Sequence, residues 1–186
     1  MNKGKIILLN GVSSFGKSSL SNELVKLLPE FFHFSIDDFD TIIERMEDRE
    51  YERLIPVPTE HFFHRNLAMF SEKGVNLIVD HILHDEDTFK DCIAILEHYP
   101  VFFVGVHCPA DELKRREIAR GNRTIGQAVR QLDFVHQQKE VYDVEVDTFQ
   151  MSLQSAAKVI AVKLDEMKAP AGWSNTVENF KQTNLS

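Results

Sequence analysis

The stretch Gly11-Val12-Ser13-Ser14-Phe15-Gly16-Lys17-Ser18 limits this chain more than any other. It spells G-x-x-x-x-G-K-S, a phosphate-binding loop that works only between a strand and a helix. Both neighbours have the right pattern. Lys5 to Asn10 holds the apolar run Ile6-Ile7-Leu8-Leu9, suited to a strand buried on both faces. Ser18 to Leu28 carries Leu20, Leu24, Leu27 and Leu28 at helical spacing.

Gly11 and Gly16 allow backbone angles closed to residues with a Cβ, so the loop can turn its N–H groups inward around an anion. The next helix adds the positive end of its dipole. Lys17 is placed to reach terminal phosphates, and Ser18 to offer a hydroxyl to Mg²⁺. Gly11, Val12, Ser13, Ser14, Phe15, Gly16, Lys17, Ser18 and Ser19 are therefore the expected ATP-binding residues.

Downstream, strands and helices alternate. Phe32–Ser35 reads as a second strand, with Asp38 capping a helix over Phe39–Glu47. Asp48–Pro58 reads as a loop punctuated by Pro56 and Pro58. A helix over Thr59–Lys73 is closed by Gly74. Strands are expected at Val75–Val79, Val101–Val106 and Val144–Val146, and helices at Glu86–His98, Asp111–Arg120, Ile125–Val141 and Ser152–Met167. Residues 169–186 show little periodicity and are expected to form a loosely ordered tail behind a single domain over 1–168. This order predicts an α/β fold: a doubly wound, mainly parallel five-stranded sheet. Ligands in such sheets bind beyond the carboxyl ends of the strands.

The residues just past those ends are the candidates for chemistry. Asp37 comes after the second strand, where a carboxylate can orient an acceptor hydroxyl and take its proton; it can equally be part of a turn. Asp80 ends the run Asn76-Leu77-Ile78-Val79 and, with Ser18, is the expected Mg²⁺-holding pair. His81 can meet substrate or simply pack. Arg120 and Arg123 flank Gly121, which suggests a lid near 115–126 whose arginines clamp phosphates. His61 and His64 lack a third partner at zinc spacing. Phe62, Phe63 and Phe70 read as core, although their place between the second and third strands also suits the wall of an acceptor site.

Composition narrows the partners. The net charge of −8 disfavours nonspecific nucleic-acid binding and anionic membranes, and no apolar run approaches the ~20 residues of a membrane span. Cys92 and Cys108 form no C-x-x-C pair, which fits a reducing compartment. The chain passes from Met1 to its first strand with no signal-peptide pattern, so a cytoplasmic location is expected. The oligomeric state is not encoded in these features.

No guanine-specific N-K-x-D motif accompanies the loop. The chain instead resembles the chloramphenicol phosphotransferase family of P-loop kinases over roughly Lys5 to Asp165. The blocks that carry the resemblance are Ile7 to Ser18, Ser35-Ile36-Asp37, Ile78-Val79-Asp80, Val104 to Cys108, Arg116 to Arg123, Val135-His136 and Tyr142 to Thr148. It implies a nucleoside-kinase-like fold, ATP and Mg²⁺ as co-reactants, and phosphorylation of a small-molecule hydroxyl. It also implies that Asp37 is the base, with Lys17 and Arg123 stabilising the transferring charge. Asn122 stands where the family has Asp, and His81 where it often has a second Asp. Two other readings use the same loop: a nucleoside or nucleotide kinase, and a nucleotide-binding switch without transfer.

Overall fold

A computed structural model of the chain describes residues 2–120 and 127–184. Five strands form one sheet: β1 (Ile6–Asn10), β2 (Phe31–Ser35), β3 (Asn76–His81), β4 (Val101–His107) and β5 (Val144–Asp147). Their order across the sheet is β2-β3-β1-β4-β5, and every neighbouring pair is parallel. The fold is the expected one, a fully parallel sheet flanked by helices.

The central strand shows why its sequence is apolar throughout. Alternate side chains of a strand point to opposite faces. Ile7 and Leu9 pack with α1 (Lys17–Leu27) and α7 (Leu153–Glu166), whereas Ile6 and Leu8 pack with α3 (Thr59–Glu72) and α4 (Glu86–Leu96). All four are completely buried, so no face of β1 has a place for a polar residue. Because β1 lies mid-sheet, the loop leaving it opens between β3 and β4.

Several boundaries differ from the sequence reading. Asp38 does not cap a helix. Helix α2 (Ile36–Met46) begins directly after β2, Ser35 holds the N-cap position, and Asp37 and Asp38 both lie in the first turn. Carboxylates are stabilised there by the helix dipole without capping it. Asp80 and His81 are the last two residues of β3 rather than the loop beyond it.

The helix expected over Ile125–Val141 is described only as α6 (Gln127–Gln131), residues 121–126 lying outside the description. Past α6 the chain runs through a series of turns, with left-handed residues at His136 (φ 70°) and Lys139 (φ 59°). The carboxylate of Glu140 fixes those turns by accepting the N–H groups of His136 at 2.9 Å and Gln138 at 2.6 Å.

Within the stretch expected as a loose tail, the described residues from 172 to 184 are helical. Gly172–Asn184 forms α8, which packs against β4. Trp173 is buried with its ring 5.1 Å from that of Phe103, and its indole N–H donates to the Leu96 carbonyl at 3.0 Å. Asp143 receives the N–H groups of Ala171 and Gly172 at the start of the helix, at 3.0 and 2.8 Å.

Candidate active site

The phosphate loop is built as its glycines require. Gly16 is left-handed at φ 84° and stands at the N-cap of α1. At Gly11 a Cβ would meet the Val106 carbonyl at 2.6 Å and the Phe15 ring at 2.7 Å, so no side chain fits. Ser14 adopts φ 65° to close the turn. Lys17 is buried at 6% exposure and folds back to donate to the Val12 carbonyl at 3.2 Å.

Two cavities are lined by residues of this loop, and a third shares lining residues with the first. The central one is lined by Ser13, Ser14, Gly16, Lys17 and Ser18, with Asp37 and Asp80 opposite. It is small, about 20 Å³, and Lys17, folded back onto the Val12 carbonyl, lies in its wall. A second cavity of about 480 Å³ opens from Ser14, Gly16 and Ser19 toward Arg115, Arg116, Thr148 and Met151. A third, of about 230 Å³, lies on the far side and shares Asp37 and Ile82 with the first. Asp37 is thus common to the phosphate cavity and to the cavity beyond it.

Asp80 has one carboxylate oxygen, Oδ2, that is buried with no hydrogen-bond partner; His33 approaches it at 3.5 Å. Burial raises the pKa of this carboxyl, but His33, Lys17 and the Ser18 hydroxyl outweigh it and hold the group below its ordinary value. An ionised carboxylate beside a serine hydroxyl fits Mg²⁺, which takes one or two protein oxygens and completes its octahedron with water and phosphate. Among the described residues no group of three histidine, cysteine or acidic side chains could enclose a metal ion.

Of the lid residues, Arg120 ends α5 (Ala110–Arg120), and its side chain, like all of Gly121, Asn122 and Arg123, lies outside the description. Arg116 has a role the sequence reading did not assign. It donates to the Ser14 carbonyl at 3.3 Å and to the Thr148 hydroxyl and carbonyl at 3.2 and 3.1 Å. Thr148 in turn donates to the Phe15 carbonyl at 2.7 Å, so the loop is braced from behind by α5 and the end of β5. Arg115 and Arg116 both grip Glu112 and hold its carboxyl down to about 2.

A second support lies beneath the loop. Asn10 donates to the Tyr142 hydroxyl at 2.9 Å and accepts from the Leu83 N–H at 3.3 Å, which joins β1 to the segments after β3 and before β5. His136 Nδ1 shares that hydroxyl at 2.6 Å, and its ring stacks near Phe15. Burial, then neighbouring His107, lowers His136 to about 4. The glycine in Val104-Gly105-Val106 makes room for this arrangement, since a Cβ there would lie 2.8 Å from the Tyr142 ring. Gly105→Ala is expected to cost about 1–3 kcal/mol by overpacking, read as a lower midpoint in urea with an unchanged slope. An unaltered midpoint would mean that Tyr142 moves aside freely.

Behind His81, which lines the third cavity, β3, α3 and α4 bring together residues far apart in sequence. His64 Nδ1 lies 2.7 Å from Asp91 Oδ2, and His64 Nε2 lies 2.8 Å from His81 Nε2. Arg65 and His61 also approach Asp91, at 3.0 and 3.6 Å. Burial lowers His64 despite the Asp91 carboxylate, and burial with the nearby His64, His84 and Lys17 holds His81 well below its ordinary value. Phe63 packs into the core as expected, stacked 5.1 Å from Phe34 and 5.2 Å from His81. No helix among the described residues is long and apolar enough to cross a membrane.

A parallel sheet of this order with a phosphate loop after its central strand is the architecture of P-loop kinases, and solved structures agree. The Mycobacterium tuberculosis APS kinase CysC, in complex with AMPPNP and APS, is 16% identical with TM-score 0.64, covering 89% of this chain and 100% of that one. The Deinococcus radiodurans tunicamycin resistance protein is 19% identical with TM-score 0.64, covering 90% and 99%. Shikimate kinase from Acinetobacter baumannii is 15% identical with TM-score 0.59, covering 90% and 97%. Residues 4–165 match the model of the chloramphenicol phosphotransferase-like proteins, and the chain belongs to that family. A Mycobacterium tuberculosis protein named "Putative O-phosphotransferase Rv2636" is 27% identical over 206 residues, covering 97% of this chain and 91% of its own length. Family and fold together support a phosphotransferase of the kinase type.

Proposed function

We propose that this chain transfers the γ-phosphate of ATP to a hydroxyl of a small molecule. The observation that carries the reading is the shared wall: Asp37 lines both the phosphate-loop cavity and the cavity beyond it. A carboxylate so placed can touch an acceptor hydroxyl on one side and face the transferring phosphoryl group on the other. ATP would occupy the cavity between Ser19, Arg115 and Thr148, with its phosphates over Ser13–Ser18. Lys17 would release the Val12 carbonyl and turn to the phosphate oxygens, which also enlarges the central cavity. Ser18 and Asp80 would hold Mg²⁺, which neutralises phosphate charge when bound.

In the chemical step the acceptor oxygen forms a bond to the γ-phosphorus as the bond from that phosphorus to the β–γ bridging oxygen breaks. The acceptor proton passes to the Asp37 carboxylate and then to solvent, and ADP leaves. Asp37 mainly orients the hydroxyl early and takes the proton late, because the transition state is loose. Lys17 and, from the segment at Arg120 and Arg123, the lid arginines supply positive charge where the phosphoryl group transfers.

The test is ADP formation from Mg²⁺·ATP, with and without a panel of hydroxylated compounds that includes chloramphenicol. The expected result is a compound that raises ADP release and gains one phosphate per ADP formed. Hydrolysis that no acceptor alters would defeat the reading and favour a nucleotide-binding switch.

A further inference from the structure

Ser14 is 5% exposed, and its hydroxyl oxygen Oγ is buried with no hydrogen-bond partner. A buried hydroxyl left unpaired costs stability, and few such groups persist in a folded protein. The backbone of the same residue is unfavourable too. Its φ of 65° lies in the left-handed region, which glycine enters freely and serine does not. Two tertiary contacts hold the turn in place: Arg116 donates to the Ser14 carbonyl at 3.3 Å, and Thr148 to the Phe15 carbonyl at 2.7 Å. A glycine would suit this turn better on both counts. Strain that neighbouring elements maintain beside a ligand cavity points to a role for the side chain.

The position of Ser14 defines what its hydroxyl can meet. On the loop side, the central cavity is lined by Ser13, Ser14, Gly16, Lys17 and Ser18, and the larger one by Ser14, Gly16 and Ser19. Among the described residues Ser14 and Gly16 are the two that line both cavities, and of these Ser14 is the one with a side chain. With the nucleoside end of ATP in the larger cavity and the terminal phosphate beside Asp37, the link between the β- and γ-phosphates falls at this border.

Resting on the phosphotransfer reading, we infer that Ser14 is a further catalytic residue: its hydroxyl donates a hydrogen bond to the β–γ bridging oxygen and stabilises the ADP leaving group. As the bond from that oxygen to the γ-phosphorus breaks, the electron pair stays on the oxygen. In a loose transition state this charge develops before the bond to the acceptor is well formed. A donor already fixed at that place stabilises the charge without reorganising. Ser14 keeps its own proton throughout, and the proton of the acceptor passes to Asp37. A serine hydroxyl has one proton to donate, and no protein group holds that of Ser14, so it can turn to the leaving oxygen.

The test compares Ser14→Ala, which removes the hydroxyl, and Ser14→Gly, which also relieves the backbone, with the parent protein. Three quantities are measured: ADP release from Mg²⁺·ATP with and without the acceptor panel, ADP affinity by calorimetry, and Tm. ADP release is expected to fall about 10- to 100-fold in both variants, through kcat. The Kd for ADP should stay within about threefold, because ADP has no β–γ bridging oxygen. Tm should not fall, since neither change breaks a contact within the protein. Ser21→Ala is the control: its hydroxyl is also buried and unpartnered, but Ser21 lies in the wall of neither cavity, so its rate should stay within about twofold. Rates within about threefold of the parent in both Ser14 variants would overturn the inference. So would a loss of ADP affinity or of Tm in step with the rate, which is what a structural role produces. ADP release by the parent without phosphorylated product would defeat phosphotransfer alone; the role of Ser14 then stands or falls on the hydrolysis rates, because hydrolysis breaks the same bond. No ADP release by the parent under any condition would overturn both.

Discussion

Lys17→Ala is expected to lower kcat/KM about 100- to 1,000-fold, some 3–4 kcal/mol of transition-state stabilisation. Lys17 is the described cation inside the phosphate cavity, and 6% exposure means that water does little to screen it there. The side chain donates to the Val12 carbonyl, and on the proposed reading it would exchange that contact for phosphate oxygens on binding nucleotide. Truncation would therefore remove an ammonium from the proposed place of phosphoryl transfer. The fold should persist, since the core beneath the loop is formed by Val12, Phe15 and Leu20 rather than by Lys17. Steady-state rates, measured alongside a thermal unfolding curve, check this. A folded variant with near-normal turnover would remove the loop from the reaction.

The second large effect is expected at Asp37. Asp37→Asn keeps the size and much of the hydrogen bonding of the side chain but cannot take a proton. Loss of a general base costs about 100- to 10,000-fold in rate, and kcat should fall on that scale while nucleotide binding is kept. Asp38→Asn provides the contrast. Both residues lie in the first turn of α2, so both changes remove one favourable charge from the helix N-terminus, worth about 0.3–1 kcal/mol each. Equal effects on stability and unequal effects on kcat would isolate the chemical role. If Asp38→Asn is inactive and Asp37→Asn active, the base is the other aspartate; if both are active, proton removal does not limit the rate.

The parts of this fold that were legible in the sequence were those fixed by local rules. The phosphate loop is one, because its glycines dictate backbone angles and its flanks dictate a strand and a helix. The inner strands are another, since burial on both faces leaves a continuous apolar run such as Ile6 to Leu9. Helix α8 was missed although Trp173, Val177 and Phe180 stand at helical spacing. Three apolar residues in a polar stretch look like noise until Asp143 anchors the helix start and β4 receives its face. The helix expected through Val141 failed for the opposite reason. Its apolar spacing at Val129, Leu132 and Val135 continues, but Glu140 captures backbone N–H groups and bends the chain. The Asp91–His64–His81 chain had no local signature at all. Its members are 17 and 27 residues apart, and only the packing of α3 on α4 and β3 joins them. The bracing of the loop by Arg116 and Thr148 is tertiary in the same way.

Trp173 is the one tryptophan in the chain, and it sits where α8 docks, on the face of the sheet that carries α3 and α4. Its emission is therefore a label placed by nature on a single joint, remote from Phe15 and the core under the phosphate loop. Fluorescence and far-ultraviolet circular dichroism should trace the same denaturation curve if α8 belongs to the cooperative unit. An earlier fluorescence transition would mean that the helix peels away as its own unit, with the sheet still intact behind it.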